Sequence, residues 1–144
     1  MNINNYMNAA GGFSASGTGG GSATPTDPLG QPPAAASALW DSQCIGFDFR
    51  PFASLDIQLS SGAATGGAGT PVSTVKFQMS DDNVNWFDVI TFTGTTTGAS
   101  VERKSVVASA TVQLGRWGRF SPTVGSASGT ASYAYTYIII GRHI

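Results

Sequence analysis

The chain has few of the groups that catalysis requires. Only 10% of its 144 residues are charged, and it contains one cysteine and one histidine. The single cysteine, Cys44, excludes an intrachain disulfide and lies in an apolar stretch, where a thiol acts as a small hydrophobic side chain. The sole histidine, His143, is the penultimate residue. The chain therefore offers few of the titratable side chains that a catalytic triad needs. We expect a protein that is not an enzyme and needs no cofactor.

Long apolar runs and a strong net charge are also missing. The run Ile138-Ile139-Ile140 is too short to cross a membrane, and the first residues lack the basic and apolar regions of a secretory signal. The net charge of −1 combines two basic residues against seven carboxylates in 1–88 with five against one in 89–144. Without a broad basic stripe, we expect neither a nucleic acid nor a membrane as partner.

Small residues dominate the chain before residue 38. This part is rich in Gly, Ala, Ser, Thr and Pro, and after residue 7 its only large apolar side chains are Phe13 and Leu29. Such a segment cannot bury a core of its own. We therefore predict a flexible arm over residues 1–37. It is either a disordered tail or an arm that orders on a neighbouring subunit through Phe13, Leu29, Pro32 and Pro33.

After residue 37 the sequence alternates apolar and polar residues, which is typical of half-buried antiparallel strands. The alternating runs predict an all-β antiparallel sandwich over 38–144, either jelly-roll or galactose-binding-like. In the last run, the tyrosines and Ile139 share one face. The uncharged, glycine-rich stretch 60–70 is expected to be a mobile tip or a contact loop. The predicted strands cover residues 45–49, 55–59, 75–79, 86–92, 100–107, 109–114, 116–121 and 131–140.

The sequence Ser80-Asp81-Asp82-Asn83 separates two of the predicted strands. Asp and Asn side chains accept bonds from nearby backbone N–H groups and tolerate left-handed backbone geometry, so this sequence predicts a hairpin turn.

Two other uses of the same carboxylates remain open. Asp81, Asp82 and Asp88 could form a paired-carboxylate catalytic site or a calcium site, although their spacing matches no established calcium loop. The turn is the simpler interpretation. Trp86 follows the turn, and we expect it in the core, because its large area stabilises most when buried.

A second segment, Arg116-Trp117-Gly118-Arg119-Phe120, interleaves guanidinium and aromatic groups, as surfaces that stack bases or sugars do. Strand alternation places Trp117 beside Arg119 on one face and Phe120 beside Arg116 on the other. An arginine stacked on an aromatic side chain of the sheet is therefore the simpler expectation.

Three stretches carry a resemblance to known families. The stretch 75–89 resembles the "Ser-x-Asp-Gly-x-x-Trp" hairpin of discoidin-like, galactose-binding-like sandwiches and of many phage virion proteins, with Asn83 in place of the glycine. The stretch 116–120 is similar to the "Arg-Tyr-x-Arg-apolar" strand that follows there. Ser128-Gly129-Thr130 and the next strand resemble the closing part of small phage capsid cement and decoration proteins. The resemblance covers about residues 73–142.

The resemblance implies a virion protein at the capsid surface. Such a protein binds the major capsid protein and stabilises the shell, and it assembles with copies of itself into a symmetric oligomer such as a trimer. One alternative is a phage tail or baseplate adhesion module that binds host glycan through Trp40, Trp86 or Trp117. Another is a shell subunit with a glycine-rich arm, although the arm here has no basic residue.

Overall fold

The computed structural model describes residues 6–19, 21–23, 25–26, 29 and 48–143. These residues form strands, turns and loops, with no helix among them, and they build two antiparallel sheets. The predicted all-β antiparallel sandwich is thus confirmed. The strands are β1 (Tyr6–Thr18), β2 (Ser22–Ala23), β3 (Ser54–Ser61), β4 (Thr65–Ala68), β5 (Val72–Ser80), β6 (Phe87–Thr91), β7 (Ser100–Val107), β8 (Trp117–Gly125) and β9 (Ser128–Arg142).

The long strand β9 organises the first sheet. The strand order in this sheet is β1-β9-β3-β7, and β4 also pairs with β9. One edge of β9 therefore bonds β1, while the other edge bonds β3 and then β4. The second sheet has the order β2-β8-β5-β6. Since β1 lies in one sheet and β2 in the other, the N-terminal part of the chain contributes to both layers.

The core lies between the two sheets and is rich in aromatic side chains. The rings of Phe77 and Phe120 meet edge to face with centroids 5.2 Å apart, and Phe49 meets Phe77 at 5.9 Å. From β9, Tyr133 and Ile139 are 1% and 0% exposed, as the predicted shared face requires. Apolar side chains at alternate positions thus enter the core from both layers, which is the source of the fold's stability.

Two predictions for the loops and strands were wrong. Residues 109–114 form no strand, because the Ser109 hydroxyl accepts bonds from the N–H groups of Thr111 and Val112 and closes a local turn. The stretch 60–70 is not all loop, because β4 lies within it and pairs with β9. The predicted strand 45–49 is outside the described residues up to position 47, and positions 48–49 are not a strand.

The largest difference from the predicted arm concerns β1. All 13 residues of this strand pair with β9, from Tyr6 opposite Arg142 to Thr18 opposite Thr130. Small residues permit this close approach, since a Cβ on Gly12 would lie only 2.9 Å from the carbonyl oxygen of Tyr135. The described part of 1–37 therefore belongs to the sandwich. A domain boundary at residue 37 stays a prediction, because positions 30–47 lie outside the described residues.

Candidate interaction surface

The ring of Phe13 anchors β1 to the body of the sandwich. It stacks on Tyr135 at 4.8 Å and on Phe120 at 5.0 Å, and it lies 6.4 Å from Tyr137. These three rings come from both sheets, because β9 carries the tyrosines and β8 carries Phe120. Phe13, predicted to anchor the arm on a partner, here fills a groove between β9 and β8 of its own chain.

Beyond β1 the chain crosses to the second sheet. Thr26 and Leu29 donate their backbone N–H groups to carbonyl oxygens of β8, each at 2.8 Å. The Leu29 side chain is 7% exposed and belongs to the core. Pro32 and Pro33, the other predicted anchors, lie outside the described residues. The described residues from 6 to 29 thus cover the edge of β9 in one sheet and the edge of β8 in the other.

One part of the outward side of β1 and β9 carries small side chains without charge. We call the surface formed by Ser14, Ser16, Ser132, Ala134 and Thr136 the uncharged face. Ser14, Ser16, Ala134 and Thr136 are exposed, and the hydroxyls of Ser16 and Ser132 lie 2.7 Å apart. Short side chains lose little entropy when a partner covers them, so this face is suited to close packing against another protein.

The sequence analysis did not single out the uncharged face. The sequence did contain an indication of this face, because the residues between the tyrosines of the last predicted strand are all small. However, two of its five residues come from β1, and the pairing of β1 with β9 was not predicted.

A buried carboxylate lies on the same outward side, towards β7. Asp56 is 6% exposed, accepts hydrogen bonds from the Ser105 hydroxyl and from Arg103 Nη2 at 3.2 Å, and forms an ion pair with Arg142 Nη1 at 2.6 Å. The bond from Ser105 is the largest cause of a lowered pKa for Asp56, burial opposes it, and the two arginines add to it. The cluster ties β3 to β7 and to the end of β9.

The Asp56 cluster makes the free energy of unfolding depend on pH in the acid range. The pKa of Asp56 in the folded chain lies below the ordinary value of 3.8. The contribution of Asp56 to stability is therefore complete above about pH 4 and is lost as the pH falls through the folded pKa. We expect Asp56→Asn to lower the free energy of unfolding at pH 7 by about 2 kcal/mol. Below pH 4, the free energy of unfolding should decrease less steeply in this variant than in the wild type. Urea unfolding at stepped pH measures both effects.

The matched control for this prediction is Asp88→Asn. Asp88 bonds Lys76 at 2.6 Å, but its side chain is 41% exposed, so its loss should cost less than about 1 kcal/mol. Equal losses in the two variants would contradict a special role for Asp56.

The residues Ser80, Asp81, Asp82 and Asn83 form the turn between β5 and β6. The Asp82 carboxylate accepts bonds from the backbone N–H groups at positions 84 and 85, at 2.8 and 2.7 Å, and from the Ser80 hydroxyl at 2.9 Å. The backbone N–H at position 85 is the largest cause of a strongly lowered pKa for Asp82. Asn83 has a φ of 60°, the left-handed conformation that the sequence predicts for it.

The three carboxylates considered for a calcium or catalytic site have separate protein partners. Asp82 bonds its own turn, Asp81 accepts the backbone N–H of Arg116 at 3.1 Å, and Asp88 accepts bonds from Lys76 and Gln78. Among the described residues, no cluster of three or more His, Cys, Asp or Glu side chains is placed to hold a metal ion. The structure does not bring these carboxylates together around one site.

The aromatic and arginine side chains form stacked pairs. Trp86 was predicted in the core, but it is half-buried, and the guanidinium of Arg119 lies 4.1 Å above its ring. Arg119 also donates to Gln78 at 2.9 Å, and burial lowers its pKa. Arg116 lies 5.0 Å over the ring of Trp117. Stacking of arginine on aromatic rings was expected, but the partners differ from the expected ones. Arg119 lies over Trp86, which precedes β6, and Arg116 lies over its neighbour Trp117.

Two further observations concern the sole histidine and the helices. The ring of His143 packs against Phe52 with centroids 4.7 Å apart. Within the residues that the structure describes, no helix has the length and apolar character that a membrane crossing requires.

Comparisons with known proteins show the fold. No family model and no curated protein matches the chain. A chain from the structure of infectious bursal disease virus, Gx strain, is similar with a TM-score of 0.55 and 10% identity, and the match covers 96% of this chain. The present chain spans only 33% of that viral chain. A chain from disulfide-linked pili of Bacillus endospore appendages matches with a TM-score of 0.42 and 14% identity, over 97% of this chain and 90% of that one.

Proposed function

We propose that the chain is a virion structural protein without enzymatic activity. In this role it is a capsid cement or decoration protein that binds the major capsid protein at the capsid surface and stabilises the shell. The observation that carries the proposal is the uncharged face, because two paired strands of one sheet, β1 and β9, present short side chains side by side. The fold likeness to a chain from a virus particle is consistent with this role.

The chemistry of the face favours a protein partner. A surface without charge gains little from contact with nucleic acid, whose binding depends on neutralised phosphates. The face also lacks the hydrated charged side chains that keep an uncovered protein surface soluble. Short side chains allow a second backbone to approach closely, which favours broad contact with another folded protein. The residues of the face that carry this argument are Ser14, Ser16, Ser132, Ala134 and Thr136.

A charge placed on the face tests the proposal. We expect Ala134→Lys to reduce binding to shells of the source virus that lack this protein by at least about tenfold, because the ammonium would be buried without a partner. Binding is measured by cosedimentation with purified shells, and shell stability by thermal release of genome or scaffold. The matched control is Val84→Lys in the β5–β6 turn, where Val84 is 76% exposed.

The outcomes separate the two halves of the proposal. If the wild-type chain does not bind shells, the cement role is wrong. If Ala134→Lys binds as tightly as the control, the role stands but the uncharged face is not the contact. Both variants must first unfold at the same denaturant concentration as the wild type, which excludes a folding defect.

The adhesion alternative depends on aromatic side chains that could stack on sugar. The rings of Trp86 and Trp117 already lie under guanidinium groups, and Trp117 is only 8% exposed. Trp40 lies outside the described residues. Retention of the chain by host-surface glycan, without binding to shells, would favour the adhesion module.

A further inference from the structure

We propose that the groove between β9 and β8 accepts β1 from a second copy of this chain, so that copies are joined by exchange of the residues before position 30. The inference rests on the proposed structural role and deepens it, because it names one partner and the way in which that partner binds. Four features of the structure support it.

The first feature is that the groove selects the sequence of β1. A Cβ on Gly11 would lie 2.6 Å from the hydroxyl oxygen of Tyr137, and one on Gly12 would lie 2.9 Å from the Tyr135 carbonyl oxygen. The next residue, Phe13, fills the space among the aromatic rings. The groove therefore requires two glycines followed by an aromatic residue, and a second copy supplies the same sequence in the same register.

The second feature is the place of β1 at the edge of its sheet. Among the described strands, β9 alone pairs with it, so β1 can leave without breaking any other described strand pair of that sheet. Its departure would uncover the rings of Phe120 and Tyr135, which are 0% and 3% exposed. Uncovered aromatic area of this kind favours rapid capture of another strand.

The third feature is the length of chain that connects the N-terminal part to the rest. Leu29 bonds the carbonyl oxygen of Gly118 at 2.8 Å, and a Cβ on Gly118 would lie 2.7 Å from the ring of Phe49. Leu29 and Phe49 are therefore close neighbours, yet residues 30–47 separate Leu29 from Asp48. A fully extended chain of this length would span roughly 60 Å. This reach exceeds the diameter of about 37 Å expected for a domain of this size, so the connection is long enough for the residues before position 30 to enter the groove of a neighbouring copy.

The fourth feature is charge. Residues 6–26 carry no charged side chain, so no like charges oppose each other when one copy enters the groove of the next. A copy that donates its strand also leaves its own groove open to another copy. Exchange of this kind is head-to-tail, and it closes into rings or extends into chains.

Disulfide trapping between chains tests the exchange. Cys44 is first replaced by serine, and full-length variants Ser16→Cys and Ser132→Cys are then made separately on that background. Ser16 lies opposite Ser132 in the register. The two variants are unfolded together in equal amounts, refolded and mildly oxidised. We expect a mixed disulfide dimer of twice the 14.7 kDa chain mass, in excess over dimers of either variant alone.

The register control pairs Ser16→Cys with Thr136→Cys. Thr136 is exposed on the same side of β9 but lies opposite Gly12, so it should give several times less mixed dimer. A second control places Ser16→Cys and Ser132→Cys in one chain.

Each other outcome overturns the exchange. If the double variant oxidises within monomers while the mixture gives no more dimer than the register control, β1 stays in its own chain. If Ser16→Cys alone forms most of the dimer, two β1 edges pair instead. If no disulfide forms anywhere, β1 does not pair with β9. The test uses no capsid shells, so it can succeed when the cement role fails, and the reverse also holds.

Discussion

Replacing Phe120 with alanine should lower the free energy of unfolding by about 3–5 kcal/mol. Phe120 is fully buried, and its ring contacts those of Phe77 at 5.2 Å, Tyr137 at 4.8 Å and Phe13 at 5.0 Å. It therefore joins the second sheet to the first sheet and to β1. Urea unfolding followed by tryptophan fluorescence and by circular dichroism measures the loss.

The control for this prediction is Val101→Ala. Val101 is 69% exposed on β7, so its truncation should change the free energy of unfolding by less than about 0.5 kcal/mol. A loss below about 1 kcal/mol for Phe120→Ala would mean that the aromatic cluster is not the centre of the core.

Removing residues 1–37 should also have a large effect. The truncated chain lacks β1, β2 and Leu29, so it exposes Tyr135 and the edge of β9. Loss of the buried parts of Phe13 and Leu29 alone should cost more than about 3 kcal/mol. The open edge of β9 should in addition promote association of the truncated chains. Denaturant unfolding and light scattering measure the two effects.

A chain that starts at Tyr6 is the matched control for this truncation, because it keeps every described strand. It should unfold at the same denaturant concentration as the full chain. If the chain from residue 38 were monomeric and as stable as the full chain, the N-terminal residues would be the flexible arm that the sequence predicts.

Much of the fold follows from the sequence where apolar side chains alternate. Strands β3, β5 and β9 were predicted because residues such as Ile57, Phe77 and Tyr133 recur at every second position and enter the core. The turn at 80–83 followed from the capacity of Asp82 and Asn83 for local bonds. In these places, local preference and tertiary packing agree.

The remaining features depend on packing that a local pattern does not contain. β1 was missed because Gly, Ala and Ser give no alternation, and its pairing uses the backbone of β9. Trp86 was misplaced because its partner, Arg119, is distant in sequence. For the candidate site, Phe13 and Leu29 were identified as anchors from their isolation among small residues. What they contact could not be predicted, since the groove forms only when β8 and β9 meet.

Hydrogen exchange of the full chain tests most directly the claim that the N-terminal residues complete the sandwich. Peptides covering Tyr6–Thr18 and Ser128–Arg142 would be followed by mass spectrometry in the absence of any partner. We predict that amides of β1 exchange far more slowly than those of a free peptide, because β1 is paired with β9 along its whole length. Exchange of β1 at the rate of a free peptide, while β9 stays protected, would contradict the account.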